Sequence, residues 1–374
     1  MSVNRPTVAR VDLSAIRDNF ASITRFLSDS ETPTPRIIAV VKANAYGHGA
    51  PEVARALEQA GAAMLACADI EEGVVLREAG VRVPILVFGA LSVSDLEGVF
   101  SHRLTPTIST PSAARALQQA AARQATTLRC HLKIDTGMNR LGFRHDNLDR
   151  TVPEVAASPN LAVDAVYTHF ATADAPDHAA FGEQRVRFDD ACARLPELGI
   201  PVRARHAANS AALLRDERVW YDFVRPGLLI YGVVPPPLAV TIALRPALSL
   251  HSRIVAVKGL RPGEGVGYGL RDAADSVRTV AVVPAGYADG LDLRLAGRGH
   301  MLVRGRRAPV VGSVCMDMSM IDVTDMDVAP GDEVVIVGAQ APTEVGVREI
   351  AASIGTIPYE LLCRVGARIQ RKYD

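Results

Sequence analysis

Short apolar runs alternate with helical patterns from residue 12 to about residue 235 of this 374-residue chain. The first helical pattern has apolar residues at spacings of three and four from Leu13 to Leu27, and Asp12 is placed to cap it. Strand candidates follow at 37–41, 62–68, 84–88, 104–108, 128–134, 162–168, 202–206 and 223–230. Eight strands separated by helices suit a closed (β/α)₈ TIM barrel, and an open doubly wound sheet is the alternative with the same spacing.

The pattern changes after the three consecutive prolines at 235–237. The next segments are short, rich in valine and punctuated by Gly, Pro and Asp, and no long amphipathic helix is predicted before about 346–355. These strand candidates are 247–258, 277–284, 301–304, 308–314, 319–323 and 333–337. The chain is therefore predicted to be an α/β protein with two domains. The barrel is predicted at 7–237, and the β-rich C-terminal domain at 238–374, to which residues 1–6 are also assigned.

Charge argues against nucleic acid as a partner. Lys+Arg and Asp+Glu both total 41, so the formal net charge is zero, and nothing in the overall charge attracts a polyanion. A basic cluster at 298–307 is predicted to be a solvated turn. The uncharged stretch at 226–244 is long enough to span a membrane, but it contains the proline triplet and is not predicted to do so.

The five cysteines indicate a reducing compartment. They are odd in number, widely spread and without a C-x-x-C pair, which fits neither a disulfide framework nor a zinc ribbon. No other spacing of Cys, His and carboxylates predicts a metal site. The first ten residues lack the apolar core of a secretory signal, so we expect a cytoplasmic protein.

Lys42 is the strongest candidate for a chemical role. Only four lysines occur among the 41 basic residues, and Lys42 follows the apolar run 37–41, at the strand end where a barrel places its active site. Burial lowers the pKa of an ammonium group, and a neutral amine is a nucleophile and a base, which arginine is not. The alternative is a lysine that extends from a strand end to solvent. The Gly-rich turn that follows, with Tyr46 and His48, can hold a phosphate.

The segment AVVKANAYGHG at 39–49 closely resembles the pyridoxal-phosphate lysine motif of alanine racemases. Further segments similar to this family occur in the family's order along nearly the whole chain. They are KIDTGMNRLG (133–142), THFA (168–171), ANS (208–210), RPG (225–227), GYG (267–269), GYADG (286–290), CMD (315–317) and PYE (358–360). The family's fold, a barrel followed by a β-domain, agrees with the pattern above. One departure is Asn139, where many members have glycine.

The resemblance implies two bases on opposite faces of the substrate's α-carbon. Lys42 holds pyridoxal 5'-phosphate as a Schiff base and serves the face of the D-enantiomer, while Tyr268 serves the face of the L-enantiomer. In the family this tyrosine comes from the partner subunit, so a homodimer with a shared active site is implied. Arg140 contacts the substrate carboxylate, and together with His169 it helps to lower the pKa of the tyrosine.

The resemblance also assigns the remaining site residues. Lys133 matches a lysine that is often carbamylated, and its carbamate would pair with Arg140. The substrate entrance is lined by Tyr287 and Met316. The expected cofactor-binding residues are Lys42, Tyr46, His169, Asn209, Ser210, Arg225, Gly227, Leu228 and Tyr359. Considered alone, Ser210 is also a candidate N-cap of a short helix.

Arg225 is the residue that most informs the reaction type. In related barrels that decarboxylate amino acids, a carboxylate faces the pyridine nitrogen of the cofactor. An arginine there leaves this nitrogen unprotonated and weakens the electron sink, which disfavours side reactions. The expected function is therefore interconversion of L- and D-alanine, which supplies D-alanine for peptidoglycan or consumes it. A racemase for serine or a broader range of amino acids, and a non-catalytic pyridoxal-phosphate carrier, are the alternatives.

Overall fold

The computed structural model describes residues 5–30, 32–89, 91 and 95–374, and it divides the chain into two compact units. The barrel unit contains residues 16–45 and 50–244. The sheet unit contains 245–374, the N-terminal segment that ends at Ala15, and Tyr46–Gly49. These bounds differ slightly from the predicted domains 7–237 and 238–374, whose extents as functional domains stay a prediction.

Eight parallel strands close into a barrel, as predicted. Strand β1 (Val8–Val11) belongs to the sheet unit, and the barrel strands follow it along the chain. They are β2 (Arg36–Val40), β3 (Met64–Cys67), β4 (Ile85–Val87), β5 (Thr105–Ile108), β6 (Leu128–Asp135), β8 (Leu161–Tyr167), β9 (Arg205–Asn209) and β10 (Phe223–Arg225). Each pairs with the next, and β10 pairs with β2 to complete the ring, while the two-residue β7 (Phe143–Arg144) adds to β6.

Helices follow most barrel strands, and their bounds are close to the predicted ones. The first helix, Leu13–Ser28, is capped by Asp12, whose carboxylate accepts a hydrogen bond from the Ala15 amide at 2.8 Å. The other helices of this part are Ala50–Gln59, Ile70–Glu78, Glu97–Ser101, Pro111–Arg123, Leu148–Thr151, Pro153–Ala156, Ala180–Arg194 and Ser210–Arg215. None of the helices in the described part of the chain is long and apolar enough to cross a membrane.

The predicted strand at 223–230 is wrong beyond Arg225. Pro226 follows at once, and the chain then makes a turn in which the Ile230 amide donates to the Gly227 carbonyl at 2.9 Å. Residues 227–230 are buried but not extended, so their apolar sequence reflects burial and not a strand. The prediction at 202–206 was also displaced, since β9 begins at Arg205.

The second unit is a large, mostly antiparallel sheet, as the β-rich prediction required. Its strands are β11 (Leu248–Arg253), β12 (Ala256–Leu260), β13 (Arg278–Val283), β14 (His300–Val303), β15 (Arg306–Val311), β16 (Ser319–Asp322), β17 (Glu333–Gln340), β18 (Thr343–Val345) and β19 (Gln370–Tyr373). Strand β1 lies between β11 and β19, antiparallel to the former and parallel to the latter. Along the chain, β18 is followed by two helices, Val347–Ile354 and Pro358–Cys363, which precede β19.

Candidate active site

Lys42 lies two residues beyond β2, at the carboxyl end of the barrel strands. The four residues after it, Ala43 to Tyr46, have φ between 52° and 53° and form one turn of left-handed helix. Such a conformation costs an L-residue about 1–2 kcal/mol each, and here no glycine relieves it. Sustained strain of this kind is typical of functional sites, because the surrounding structure must hold it in place.

Side chains from the barrel hold this turn. Glu72 accepts hydrogen bonds from the amides of Ala43 at 2.6 Å and Ala68 at 2.8 Å, and so links the turn to the end of β3. Asn44 accepts from the Ala50 amide at 2.8 Å, where the next helix begins. These bonds fix the backbone that carries Lys42.

Arg225 is the last residue of β10 and is only 3% exposed. Its Nη1 donates to His206 Nδ1 at 2.8 Å, and its Nη2 donates to the carbonyls of Thr168 at 2.7 Å and Ala207 at 2.9 Å. Nη2 also lies 3.4 Å from Nδ1 of His169. No carboxylate in the described part of the chain is among these partners, and no hydrogen bond there uses Nε, so this donor is available to a ligand.

A chain of buried histidines fixes the position of Arg225. Because arginine only donates, Nδ1 of His206 must accept, and its Nε2–H then donates to Nδ1 of His131, 3.0 Å away. Desolvation lowers the pKa of His131 to about 4 and that of His206 well below its usual value, so both rings are neutral at physiological pH. Tyr167 stacks on His206 with 4.6 Å between ring centroids.

Cations converge at this end of the barrel. Desolvation and the nearby charges of Arg140, Arg225 and Lys42 together lower the pKa of Lys133 to about 8, while Asp135 opposes them. Desolvation and the same cations lower the pKa of His169 well below its usual value, so its imidazole is neutral. A neutral imidazole and an excess of positive charge suit an anionic ligand.

Asp135 organises the loop that carries Arg140. Its carboxylate accepts hydrogen bonds from the amides of Gly137 at 3.0 Å and Asn139 at 3.1 Å. Asn139 has φ of 56°, in the left-handed region that favours glycine. Asparagine is the residue that tolerates this region best after glycine, so the backbone here accepts Asn139 with little strain.

Ser210 joins β9 to the segment after β10. Its Oγ, in a side chain only 3% exposed, accepts from the Gly227 amide at 2.9 Å and the Leu229 amide at 3.5 Å. The N-cap of helix Ser210–Arg215 is Asn209 and not Ser210, since Asn209 accepts from the Ala212 amide at 2.9 Å. The Ser210 hydroxyl and the backbone from Gly227 to Leu229, with Leu228 between, therefore lie together at the ends of β9 and β10.

In the sheet unit, Tyr46 packs against Tyr359 with 5.9 Å between ring centroids. Desolvation and the neighbouring Tyr359 raise the pKa of Tyr46, so its phenol is protonated and can donate. The next residue, Gly47, has φ of 80°, and a Cβ there would lie 2.1 Å from the carbonyl oxygen of Leu362. Only glycine allows this close approach to helix Pro358–Cys363.

Tyr268 is a surface residue of the sheet unit. Its side chain is 78% exposed, next to Leu270 at 71%. Gly267 before it has φ of 67°, and a Cβ at Gly267 would lie 2.8 Å from Cε of Met320, so the glycine sets the path of the chain into Tyr268. The carbonyl of Tyr268 accepts a hydrogen bond from Ser313 Oγ at 2.8 Å.

Tyr287 and Met316 come together although they are distant in sequence. The Tyr287 amide donates to the Cys315 carbonyl at 3.0 Å, and the Ala288 amide donates to the Met316 carbonyl at 3.1 Å. Gly286 permits this pairing, because a Cβ there would lie 2.3 Å from the Cys315 oxygen. Both Tyr287 and Met316 have exposed side chains.

The structure thus brings the predicted barrel residues Lys42, Lys133, Arg140, His169, Ser210 and Arg225 to the carboxyl ends of the strands, and separately pairs Tyr46 with Tyr359. Sequence reasoning missed Tyr167, His131 and His206. For His131 the available signal was the polar residue at every second position of β6 from 129 to 135, which places these side chains on one face of the strand, whereas β8 and β9 have no such alternation. No cluster of three or more potential metal-binding residues occurs among the residues that the structure describes.

Two family models match the chain. "Alanine racemase, N-terminal domain" matches residues 11–235, and "Alanine racemase, C-terminal domain" matches residues 247–373. An alanine racemase of Halothermothrix orenii is 40% identical over 99% of this chain and 97% of the relative. One of Symbiobacterium thermophilum is 41% identical over 99% and 97%.

Solved structures resemble the whole chain as well. A crystal structure of alanine racemase from Streptomyces lavendulae has a TM-score of 0.94 and 34% identity, covering 100% of this chain and 98% of that one. Alanine racemase from Bacillus anthracis, solved with bound L-Ala-P, has a TM-score of 0.91 and 34% identity, with coverage of 100% and 96%.

Proposed function

The chain belongs to the alanine racemase family, and from this premise we propose how its own residues interconvert L- and D-alanine. The protein is an amino-acid racemase, an isomerase. The net reaction moves the α-proton from one face of the α-carbon to the other, and total alanine is unchanged.

Pyridoxal 5'-phosphate is the cofactor in this proposal, and the residues present fit it. In the barrel unit the phosphate suits the Ser210 hydroxyl and the amides of the segment from Gly227 to Leu229. The phenols of Tyr46 and Tyr359, which pair within the sheet unit, are assigned to the phosphate by the resemblance alone. Arg225 Nε, which no described residue accepts from, suits the unprotonated pyridine nitrogen, and the Lys42 amine suits the aldehyde. When bound, pyridoxal phosphate makes the α-proton of the amino acid acidic by drawing electrons into its ring.

Two bases complete the account. Lys42 takes or returns the α-proton on the face of the D-enantiomer, and Tyr268 does so on the face of the L-enantiomer. Arg140 holds the substrate carboxylate, and His169, neutral in its cationic surroundings, packs beside the cofactor. Tyr287 and Met316 line the route by which alanine enters.

The proposed active site is shared between two copies of the chain. A base that works at a desolvated carbon must be shielded from water, yet Tyr268 is 78% exposed and Leu270 beside it 71%. Large apolar side chains grouped on a surface are typical of protein interfaces. A homodimer, in which Tyr268 serves the partner's Lys42, covers both residues.

The observation that carries the proposal is the set of hydrogen-bond partners of Arg225. They are two carbonyls and two imidazoles, with no carboxylate. The cofactor's pyridine nitrogen then stays unprotonated, which disfavours the decarboxylation performed by related barrels. Racemisation, which only removes and returns the α-proton, tolerates this weaker electron sink and is favoured over the side reactions.

Exchange of the α-hydrogen tests this function against that of a cofactor carrier. Holoenzyme in deuterated water is expected to replace the α-hydrogen of both L- and D-alanine with deuterium, measured by proton NMR. Serine and a set of larger amino acids, assayed in parallel, measure the substrate range. A protein that binds the cofactor but exchanges no amino acid is a carrier, and this result would contradict the proposal.

Lys133 is proposed to be carbamylated. Its amine adds CO₂ to give a carbamate and one proton, and the anion pairs with Arg140. Because only the neutral amine reacts and the pKa of Lys133 is lowered to about 8, the carbamylated fraction is expected to rise as pH rises through 8 and to fall below it. The measurement is the carbon-13 NMR signal of protein equilibrated with labelled bicarbonate. Lys133→Arg should remove that signal while the exposed Lys258 and Lys372 remain, and an unchanged signal excludes Lys133.

The proposal extends to the setting of the reaction. Provision of D-alanine for peptidoglycan, or its consumption, are both compatible with a reversible reaction. A cytoplasmic location fits the five cysteines, all of which are free thiols.

A further inference from the structure

A cavity of the barrel unit lies at the end opposite the proposed active site. It has a volume of about 1040 Å³, at the upper end of the range of small-molecule sites. The first residues of five barrel strands line it, which places it at the amino ends of the strands. These residues are Arg36, Met64, Thr105, Leu128 and Phe223.

Positive charge dominates this cavity. Six arginines line it against one acidic residue, Asp164, although the chain as a whole has no net charge. The arginines are Arg36, Arg77, Arg82, Arg103, Arg129 and Arg203. Asp164 is shared by Arg129 and by Arg203, the latter at 3.9 Å. In the described part of the chain, Arg36, Arg82 and Arg103 form no ion pair.

The charge of Arg77 is held in the cavity wall by hydrogen bonds to the backbone. Arg77 donates to the carbonyls of His102 at 2.9 Å, Val81 at 2.9 Å and Val83 at 2.7 Å, none of which neutralises it. Desolvation and the neighbouring Arg103 lower its pKa, while Glu58 opposes them, so the two guanidinium groups repel each other here. A bound anion would relieve this repulsion.

Apolar side chains form another part of the wall, which also reaches the histidine chain. Phe223 lies under Arg36, whose guanidinium carbon is 4.0 Å from the ring centroid, and Val99, Phe100 and Leu104 are further lining residues. His131, only 3% exposed, also lines the cavity. Because its Nδ1 accepts from His206, its Nε2 carries the remaining N–H donor of the chain that begins at Arg225.

We propose that this cavity is a second ligand site, which binds a small phosphorylated molecule with an aromatic or apolar body. The arginines that line the cavity bind the phosphates, and the apolar part of the wall contacts the body of the ligand. A concave site with apolar walls favours a small molecule over the extended backbone of a nucleic acid. This site is separate from the proposed active site, so the two proposals stand or fall independently.

The test is calorimetric titration of holoenzyme, free of unbound cofactor, with ATP, tripolyphosphate and adenosine. ATP is expected to bind best, tripolyphosphate more weakly and adenosine not at all, while the visible spectrum of the bound cofactor is unchanged. Added salt should weaken ATP binding because the charges are partly exposed. No binding of ATP at millimolar concentration, or equal binding of a DNA oligonucleotide that competes with it, would overturn the proposal.

Charge-matched variants locate the site. Arg82→Gln with Arg103→Gln should weaken ATP binding by about tenfold or more, because two exposed cations that face the phosphates are lost. Arg17→Gln with Arg150→Gln removes the same charge from exposed barrel positions outside the cavity and should leave the affinity within about twofold. Retained racemase activity in both double variants shows that they are folded. Equal losses in the two would place binding elsewhere and refute the assignment.

Discussion

Lys42→Ala is expected to abolish racemisation, with a loss of more than ~10⁴-fold in kcat. The reason is that in the proposed mechanism one amine both holds the cofactor and moves the α-proton on one face, and a positioned base alone contributes about 10²–10⁴-fold. Alanine at 42 leaves neither function, and the segment between β2 and the helix that begins at Ala50 contains no other lysine. The left-handed turn of Ala43 to Tyr46 is held by bonds that do not involve the Lys42 side chain, so the variant should fold.

Three readouts separate chemistry from folding in this variant. The visible absorbance of covalently bound cofactor should vanish, borohydride reduction should no longer attach cofactor to the peptide that contains residue 42, and circular dichroism should be unchanged. Lys258→Ala, which removes an exposed lysine of β12, is the matched control and should keep both absorbance and activity. An unaltered spectrum in Lys42→Ala would remove Lys42 from the mechanism.

Tyr268→Phe is expected to have the second largest effect, and an asymmetric one. Exchange of the α-hydrogen of L-alanine should fall by ~10²–10⁴-fold, because the proposal makes the phenol oxygen the base for that face. Exchange of D-alanine, which depends on Lys42, should fall by less than about tenfold. Both rates are measured by NMR in deuterated water, at early times before the enantiomers mix.

The asymmetry is what makes this variant decisive. A phenylalanine keeps the ring and loses only the hydroxyl, and a general defect in folding or dimerisation would slow both enantiomers equally. Tyr221→Phe is the matched control. It removes a hydroxyl that donates to Asp189 at 2.7 Å and does not belong to the proposed site, so the exchange of neither enantiomer should slow. Equal losses from both enantiomers in Tyr268→Phe contradict the assignment of one base to each face.

The barrel was predictable because its strands and helices have the period and length of their class. The apolar run 37–41 and the spacing of three and four after Asp12 are local signals, and both structural elements are present. The error at 226–230 has a simple cause. Buried residues of a tight turn are as apolar as those of a buried strand, so apolarity alone does not separate them.

The predicted site residues come mainly from resemblance, and two features of this end of the barrel could not be predicted. The left-handed turn at 43–46 has no sequence signal, because it contains Ala-Asn-Ala-Tyr and no glycine. The link between Arg225, His206 and His131 joins residues of three strands that only the closed barrel brings together.

Strand β1 was missed because its four residues precede a strong helix, and its pairing with β11 and β19 is entirely non-local.

The most direct measurement of the central claim is the optical rotation of an L-alanine solution with purified protein, with and without added pyridoxal phosphate. We predict that the rotation decays to zero while total alanine stays constant, and that added cofactor accelerates the decay in protein that lacks it. A rotation that stays constant, in protein whose visible spectrum shows bound cofactor, would contradict alanine racemisation as the function of this chain.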